Sequence, residues 1–245
     1  MTDAVVPPPS PGPLIASGRA ADVYDIGDGR VLRRYREPST TIEYERRVMR
    51  FVAEQGVRVP KVFDLSADHL ADRDIVMERI DGLTMLDDFE ARPWKLFSHV
   101  RLLARVQREI NALVAPNWMV TPSAAAATKR RDDSVMHLDL HPMNVMITDD
   151  GPVVIDWTNA AGGPAGFDAA LTYVEMATFE VEGFAQQMGA RIGVEVFKRA
   201  RGAGEIEAFT VAACDHRLAD PGTTPGEREA VAAMRTKALV RQGSP

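Results

Sequence analysis

The first third of the chain alternates apolar and polar residues in short runs, a pattern that predicts strands with one buried face. Residues 22–26 and 30–35 are two such runs, and the residues between them, Gly27-Asp28-Gly29, are typical of a hairpin turn. Residues 57–64 and 74–80 predict two further strands. This part of the chain is therefore expected to be rich in β-structure.

Helical patterns dominate after Asp81-Gly82. From Leu96 to Ile110, apolar residues recur at steps of three and four, which indicates an amphipathic helix. The same pattern occurs once in the first third, at residues 42–55, where Gly56 marks the end of the helix. We therefore expect an α+β fold with a β-rich amino lobe and a mainly helical carboxyl lobe. The remaining predicted helices span residues 167–188, 192–201, 205–216 and 227–240.

Composition divides the chain into three parts. Residues 1–13 are rich in proline and predict a flexible arm, residues 14–82 the amino lobe and its hinge, and residues 83–245 the carboxyl lobe. The 245 residues are 45 % hydrophobic and 26 % charged, which is typical of a globular protein. A formal net charge of −6 argues against a nucleic-acid partner.

The start of the chain and the lengths of its apolar stretches indicate the compartment. The chain lacks the basic and apolar start of a secreted protein, and no stretch approaches the length of a membrane span, so we expect a cytoplasmic protein without a membrane partner. The single cysteine, Cys214, excludes an internal disulfide and is expected to be a small packed residue.

Residues 137–157 carry the densest group of chemically useful side chains, in the one-letter sequence HLDLHPMNVMITDDGPVVIDW. The runs 145–148 and 153–155 predict two short strands joined by a turn, a hairpin that returns Asp156 toward Asn144. An amide oxygen and a carboxylate are hard ligands of the kind that Mg²⁺ prefers. Asn144 and Asp156 are therefore candidate metal ligands, and Asp139 is a candidate acceptor of a hydroxyl proton.

Two other interpretations of this segment remain. His137, Asp139 and His141 alternate along the chain and could form the metal centre of a hydrolase. The same side chains could also be satisfied structural groups of an ordinary loop. His137 in particular is expected to be structural, and His141 with the proline that follows it is expected to shape the loop.

The pattern H-x-D-x-x-x-x-N followed by an apolar strand that ends in Asp resembles the protein-kinase-like superfamily. The form H-x-D-x-H-P-x-N and the ending I-D-W are similar to the aminoglycoside phosphotransferase branch, which phosphorylates small molecules. The resemblance implies a bilobal kinase-like fold, ATP and Mg²⁺ as cofactors, and a small-molecule hydroxyl as acceptor. In this comparison Asp139 is the base, and Asn144 and Asp156 hold the metal.

The resemblance also implies nucleotide-binding residues in the amino lobe. Gly18 lies where relatives have a phosphate-covering loop, although this loop has one glycine where the family pattern has three. Val31 would cover the adenine, and Arg33 would reach the phosphates in place of the usual lysine. Arg34 is the alternative to Arg33.

Further residues follow from the same comparison. Glu45 would pair with Arg33 and hold it toward the phosphates, with Glu43 as the alternative. The backbone of Glu78 and Ile80 would contact the adenine edge, and Gly82 would let the chain turn into the carboxyl lobe.

These expectations describe an ATP- and Mg²⁺-dependent kinase of a small hydroxylated molecule. The alternative is a catalytically weak, nucleotide-binding pseudokinase, which the replacement of lysine by Arg33 and the glycine-poor loop would favour. Asp168 is predicted to cap a helix and, by the resemblance, to brace the catalytic loop from behind.

Overall fold

The chain folds as an α+β protein with an antiparallel sheet in its amino-terminal region and helices in its carboxyl-terminal region. The computed structural model describes residues 11–18, 20–39, 41–64, 72–122, 133–180 and 183–243. By their internal contacts these residues form two compact units, which belong to residues 1–83 with 146–158 and to residues 84–145 with 159–245. Each unit therefore consists of two separate segments of the sequence.

The first unit is built on a five-stranded antiparallel sheet with the strand order β1-β2-β3-β5-β4. The predicted turn between β2 and β3 is present, with Asp28 and Gly29 both in the left-handed region (φ 51° and 67°) that such hairpins require. The bounds are β1 Leu14–Ser17, β2 Ala21–Gly27, β3 Arg30–Tyr35, helix α1 Thr41–Glu54, β4 Val62–Phe63 and β5 Asp74–Glu78.

The strand predicted over residues 57–64 is much shorter than expected, since only Val62–Phe63 joins the sheet. Pro60 has no N–H to donate to a ladder. The carbonyl of Arg58 instead accepts the N–H of Val154, 2.9 Å away, so this segment is tied to the predicted hairpin.

That hairpin consists of β8 and β9, and a short strand, β6, pairs with β8 to complete a three-stranded sheet. Gly82, just before β6, lies so close to Ile147 that an added Cβ would stand 2.4 Å from the Ile147 carbonyl oxygen. Glycine is therefore needed at position 82 because the backbone of Ile147 leaves no room for a side chain. The bounds are β6 Leu83–Thr84, β7 Ser134–Met136, β8 Val145–Thr148, β9 Gly151–Val154 and β10 Ala161–Gly163, with β7 and β10 forming a separate antiparallel pair.

Helices make up most of the second unit. The helix predicted over residues 167–188 is wrong, because α4 ends at Thr178 and a new helix begins at Phe184. Phe179 has extended dihedrals (φ −62°, ψ 125°), and Gly183 has a positive φ of 85°, so neither continues a helix. The bounds are α2 Met85–Ala91, α3 Leu96–Asn111, α4 Ala165–Thr178, α5 Phe184–Arg201, α6 Ala203–Ala219 and α7 Pro225–Gly243.

Most of the expected proline-rich arm lies outside the described residues. Cys214 is buried as expected, and burial raises the pKa of its thiol to about 11. In the described ranges, every helix is too short or too polar to serve as a membrane span.

Candidate active-site residues

Arg33 in β3 joins two carboxylates that lie far apart in the sequence. Its Nη1 donates to Oε1 of Glu45 at 2.8 Å, and its Nη2 donates to Oδ1 of Asp156 at 2.9 Å. Both pairings lie within the first unit. The expected pair of Arg33 with Glu45 is therefore present, and Arg33 also contacts the carboxylate of Asp156.

The two alternative residues are engaged elsewhere. Arg34 donates from Nε and Nη2 to the two carboxylate oxygens of Asp74, at 2.8 Å and 2.7 Å. Glu43 is exposed and accepts from Arg46 at 3.2 Å, one helical turn away. The structure thus supports Arg33 and Glu45 as the paired residues.

Burial and neighbouring charges shift the pKa values of Arg33 and Glu45. Burial raises the pKa of Glu45, which is 1 % exposed, although the nearby guanidinium of Arg33 opposes this. Burial lowers the pKa of Arg33, but the charges of Glu45 and Asp156 outweigh it and hold that pKa above its ordinary value. Arg33 therefore stays charged.

Sequence reasoning missed two hydroxyl groups in this cluster. The hydroxyl of Tyr35 donates to Oε2 of Glu45 and lies 3.1 Å from Oγ1 of Thr158. Thr158 in turn donates to Oδ1 of Asp156 at 2.8 Å. Tyr35 follows Arg33 by two positions on the same strand, so strand alternation could have placed both side chains on one face. No motif pointed to Thr158.

Two predicted nucleotide-binding residues, Gly18 and Val31, differ in how well their surroundings suit that role. The N–H of Gly18 donates to the carbonyl of Ala21 at 2.9 Å, which closes a turn and leaves that N–H unavailable to a phosphate. Val31 is 4 % exposed and pairs with Met77 in the centre of the sheet. The position of Val31 is compatible with an apolar cover for a nucleotide base.

The hinge segment is fastened to the sheet. Glu78 donates its N–H to the carbonyl of Lys61 at 2.8 Å, so an adenine contact from Glu78 would have to use its carbonyl oxygen. Arg79 donates its N–H to the carbonyl of Gly29 at 2.8 Å, which ties the hinge to the β2–β3 turn. Ile80, which follows β5, is half-buried.

The predicted catalytic loop belongs to the second unit. Asn144 donates from Nδ2 to the backbone carbonyl of Asp139 at 2.8 Å and approaches Oδ2 of the same residue at 3.4 Å. Nε2 of His141 lies 3.5 Å from Oδ1 of Asp139, whose side chain is 28 % exposed. The amide oxygen of Asn144 and the carboxylate of Asp156 are each hard donors of the kind that Mg²⁺ prefers.

Asp168 supports the catalytic loop through the residue before Asp139. Its Oδ1 accepts the N–H of Leu138 at 2.8 Å, and Leu138 has a positive φ of 62°. A non-glycine residue in this region costs on the order of 1–3 kcal/mol, so the contact holds a strained backbone in place. The bracing role is confirmed. The capping role is wrong, because α4 begins at Ala165 and Asp168 lies inside its first turn.

A buried polar network surrounds this brace, and sequence reasoning missed it. Oδ2 of Asp168 accepts from Gln107 at 3.2 Å and from Asn111 at 2.9 Å. Arg201 donates to Oε1 of Gln107 at 3.2 Å and to Oδ1 of Asn111 at 2.7 Å. Arg201 is 6 % exposed. Near the end of a predicted helix, an arginine is more often a surface residue, so the pattern gave no signal of its burial.

A buried carboxyl group on α4, that of Glu175, is influenced by the charge of the predicted base. Oε2 of Glu175 is buried and has no hydrogen-bond partner among the described residues. Burial raises the pKa of Glu175 well above its ordinary value, the charge of Asp139 raises it further, and Arg217 opposes both. Glu175 is therefore protonated over a wider pH range than an exposed glutamate.

The hydrolase interpretation is not supported. Among the described residues, no group of three or more histidine, cysteine or acidic side chains is arranged to hold a metal ion. A cleft of about 570 Å³ does occur in the second unit, between the end of α4 and α5. Met176, Phe179, Arg191 and Glu195 are among its lining residues, and none of the predicted site residues is.

Comparisons with known proteins agree with this architecture. The structure of a ligand-free thermostable mutant of aminoglycoside phosphotransferase APH(4)-Ia matches with a TM-score of 0.66 and 16 % identity, over 96 % of this chain and 97 % of that one. Another mutant of the same enzyme, in a ternary complex with ADP and hygromycin B, gives 0.63 and 16 %, over 95 % and 94 %. A choline/ethanolamine kinase family protein from Mesorhizobium loti gives 0.56 and 16 %, over 96 % and 89 %. At these identities the likeness shows the fold.

Sequence comparison shows the family. A search of curated proteins finds no match. The sequence model of the phosphotransferase enzyme family APH matches residues 12–124 and 109–204, which together span most of the chain and include both groups of site residues. This protein therefore belongs to the phosphotransferase enzyme family.

Proposed function

We propose that this protein transfers the γ-phosphoryl group of ATP to a hydroxyl of a small molecule, with Mg²⁺ as cofactor. The observation that carries the proposal is the joining of Glu45 and Asp156 by the one guanidinium of Arg33, at 2.8 Å and 2.9 Å. A kinase-like nucleotide site needs a basic strand residue paired with a helix carboxylate, and an Asp nearby that binds the metal. The structures of relatives with bound ADP support the same interpretation.

In this proposal Arg33 binds the α- and β-phosphates while Glu45 holds its side chain in place. Asn144 and Asp156 are the proposed ligands of Mg²⁺, which neutralises phosphate charge when it is bound. Val31 covers the adenine, and Glu78 and Ile80 contact its edge through their backbone. Most of the rate enhancement then comes from positioning and from charge neutralisation.

Asp139 is the proposed base. It keeps part of its carboxylate in contact with solvent, at 28 % exposure, so an acceptor hydroxyl can reach it. The amide of Asn144 fixes the loop through the backbone carbonyl of Asp139. On the amino-terminal side of Asp139, the hydrogen bond from the Leu138 N–H to Asp168 fixes the same loop. A base held in this way orients and deprotonates the attacking hydroxyl.

The acceptor belongs to a broad class, and the relatives illustrate it. One relative was solved with the aminoglycoside hygromycin B, and another belongs to a choline/ethanolamine kinase family. We propose an acceptor of this kind, a small polar molecule with a free hydroxyl, aminoglycoside-like or another metabolite.

The test is an ADP-release screen over aminoglycosides, macrolides, amino alcohols and sugars, followed by single-turnover transfer to any acceptor found. Asp139→Asn is expected to lower the transfer rate by roughly 10²- to 10⁴-fold while Mg·ATP still binds. Asp149→Asn, at an exposed turn residue of the hairpin, is the matched control. Wild-type transfer by Asp139→Asn would exclude Asp139 as the base.

A nucleotide-binding pseudokinase is the second candidate, and the turn closed by the Gly18 N–H favours it, since that group is withdrawn from phosphate. In that case Mg·ATP would raise the melting temperature of the protein, yet no acceptor in the screen would be phosphorylated. The intact Asp139, Asn144 and Asp156 favour the enzyme.

A further inference from the structure

The hydroxyl of Thr158 lies at the centre of the charged cluster in the first unit. It donates to Oδ1 of Asp156 at 2.8 Å, accepts from Nη2 of Arg33 at 3.3 Å, and lies 3.1 Å from the hydroxyl of Tyr35. A threonine hydroxyl has one hydrogen and two lone pairs. The contacts with Asp156 and Arg33 use that hydrogen and one lone pair.

Asp156 needs such support because its backbone is strained. Its φ is 62°, a region that non-glycine residues rarely adopt. Its side chain is 37 % exposed, so packing alone does not fix its direction. Thr158, two residues later, gives the carboxylate a neutral hydrogen bond that persists when the charge of Arg33 is engaged by phosphate.

Tyr35 supports Arg33 in a similar way. The guanidinium carbon of Arg33 lies over the Tyr35 ring, 5.2 Å from its centroid, and the Tyr35 hydroxyl donates to Glu45. Tyr35 is 4 % exposed, so its ring is held by packing. Burial, together with the charge of Glu45, raises the pKa of Tyr35, so the phenol stays neutral and remains a donor.

We propose that Thr158 and Tyr35 are positioning residues of the phosphotransfer site, Thr158 for the metal-binding carboxylate of Asp156 and Tyr35 for the phosphate-binding guanidinium of Arg33. This inference rests on the proposed function. Hydrogen-bond partners behind metal ligands typically change metal affinity by about 10- to 100-fold when they are removed. The two residues therefore have separable effects, one on the metal and one on the nucleotide.

The experiment measures Mn²⁺ binding to the ADP complex by electron paramagnetic resonance, and ADP binding in EDTA by calorimetry. Thr158→Val keeps the branched shape and removes the hydroxyl, and it is expected to weaken Mn²⁺ binding by about 10- to 100-fold with little change in metal-free ADP binding. Thr158→Ser keeps the hydroxyl and should restore Mn²⁺ binding. Tyr35→Phe should instead weaken ADP binding in EDTA.

Thr148→Val is the matched control, because the Thr148 hydroxyl donates to the Gly151 carbonyl at 2.7 Å within the same hairpin and is not part of the charged cluster. It should bind Mn²⁺ like the wild type. If Thr158→Val does not fold, Thr158→Ala is compared with Thr158→Ser in the same way.

Three results would overturn the inference while leaving the proposed function intact. These are unchanged Mn²⁺ binding by Thr158→Val, equal weakening by Thr158→Ser and Thr158→Val, and unchanged ADP binding by Tyr35→Phe. A wild-type protein that binds neither ADP nor Mn·ADP would overturn the proposed function itself and the inference with it.

Discussion

The backbone N–H of Leu138 donates to the carboxylate of Asp168 across 30 positions of sequence, at 2.8 Å. Both residues are buried, and Leu138 is held in the left-handed region directly before Asp139. The same carboxylate also accepts from Gln107 and Asn111. One buried side chain therefore couples the backbone of the predicted catalytic loop to helix α3.

Asp168→Ala is expected to lower the free energy of unfolding by about 2–4 kcal/mol, because it removes the acceptor of the buried Leu138 N–H and one acceptor each of Gln107 and Asn111. Urea denaturation measures this difference. Asp215→Asn, which removes one charge of an exposed ion pair with Arg235, is the control and should change the free energy by at most about 1 kcal/mol. Equal losses in the two variants would contradict the bracing role.

Gly82→Ala is expected to destabilise the first unit by about 1–3 kcal/mol, since the new Cβ would stand 2.4 Å from the carbonyl oxygen of Ile147. The comparison is Gly204→Ala in α6, where an added Cβ meets no atom within 4 Å. That substitution should stabilise the protein by about 0.4–1 kcal/mol, through the higher helix propensity of alanine and the smaller entropy of its unfolded chain. Thermal and urea unfolding of both variants check the opposite signs.

Glu175→Gln is expected to change how stability depends on pH. Burial raises the pKa of Glu175, so from about pH 4.5 upward the folded protein holds this proton more tightly than the unfolded chain. The contribution is therefore fully present below the unfolded pKa, and it is lost as pH rises through the folded pKa. Glutamine cannot ionise, so the variant should gain stability relative to the wild type as pH rises.

The measurement for Glu175 is urea unfolding at intervals from pH 5 to pH 8. Other raised groups, such as Glu45, are shared by both proteins and cancel in the difference. Glu195→Gln, at an exposed position of α5, should leave the wild-type curve unchanged in shape. Parallel curves for Glu175→Gln and the wild type would show that Glu175 ionises normally in the folded protein.

Arg33→Met is expected to weaken ATP binding by about 10- to 100-fold, since a hydrogen bond to a charged group contributes about 1.5–3 kcal/mol. Arg34→Met is the control on the same strand. Arg34 is engaged by Asp74, so its loss should affect stability and leave ATP affinity close to the wild-type value. Calorimetry with a non-hydrolysable ATP analogue measures both. Weaker binding by Arg34→Met alone would reverse the assignment.

The spacing of a few polar residues predicted much of this molecule. The order of Arg33, Glu45, Asp139, Asn144 and Asp156 predicted the family, and the pattern of apolar and polar positions predicted the α+β fold. The resemblance assigned Arg33 and Asp156 to the same nucleotide site, but their direct contact, across 123 positions, was not predicted. Local propensity carries no signal for a contact at this separation.

The features that the sequence did not predict are hydrogen bonds of side chains such as Thr158, Tyr35 and Arg201, and the end of helix α4. Thr158 and Tyr35 are ordinary residues whose importance comes from hydrogen bonds that only the folded chain defines. The end of α4 was missed because apolar residues continue at helical spacing past Thr178, whereas the extended backbone of Phe179 stops the helix. Arg201 resembles a surface residue until its partners in α3 are known.

The discontinuity of the first unit has a consequence for synthesis of the chain. Residues 1–83 contain the sheet, but Asp156 and the hairpin that carries it belong to the same unit and follow 62 residues of the other unit, 84–145. A ribosome therefore releases Arg33 and Glu45 well before the carboxylate that completes their cluster. The amino-terminal sheet lacks this hairpin during the interval, and a fragment that ends at residue 83 could not become the native unit.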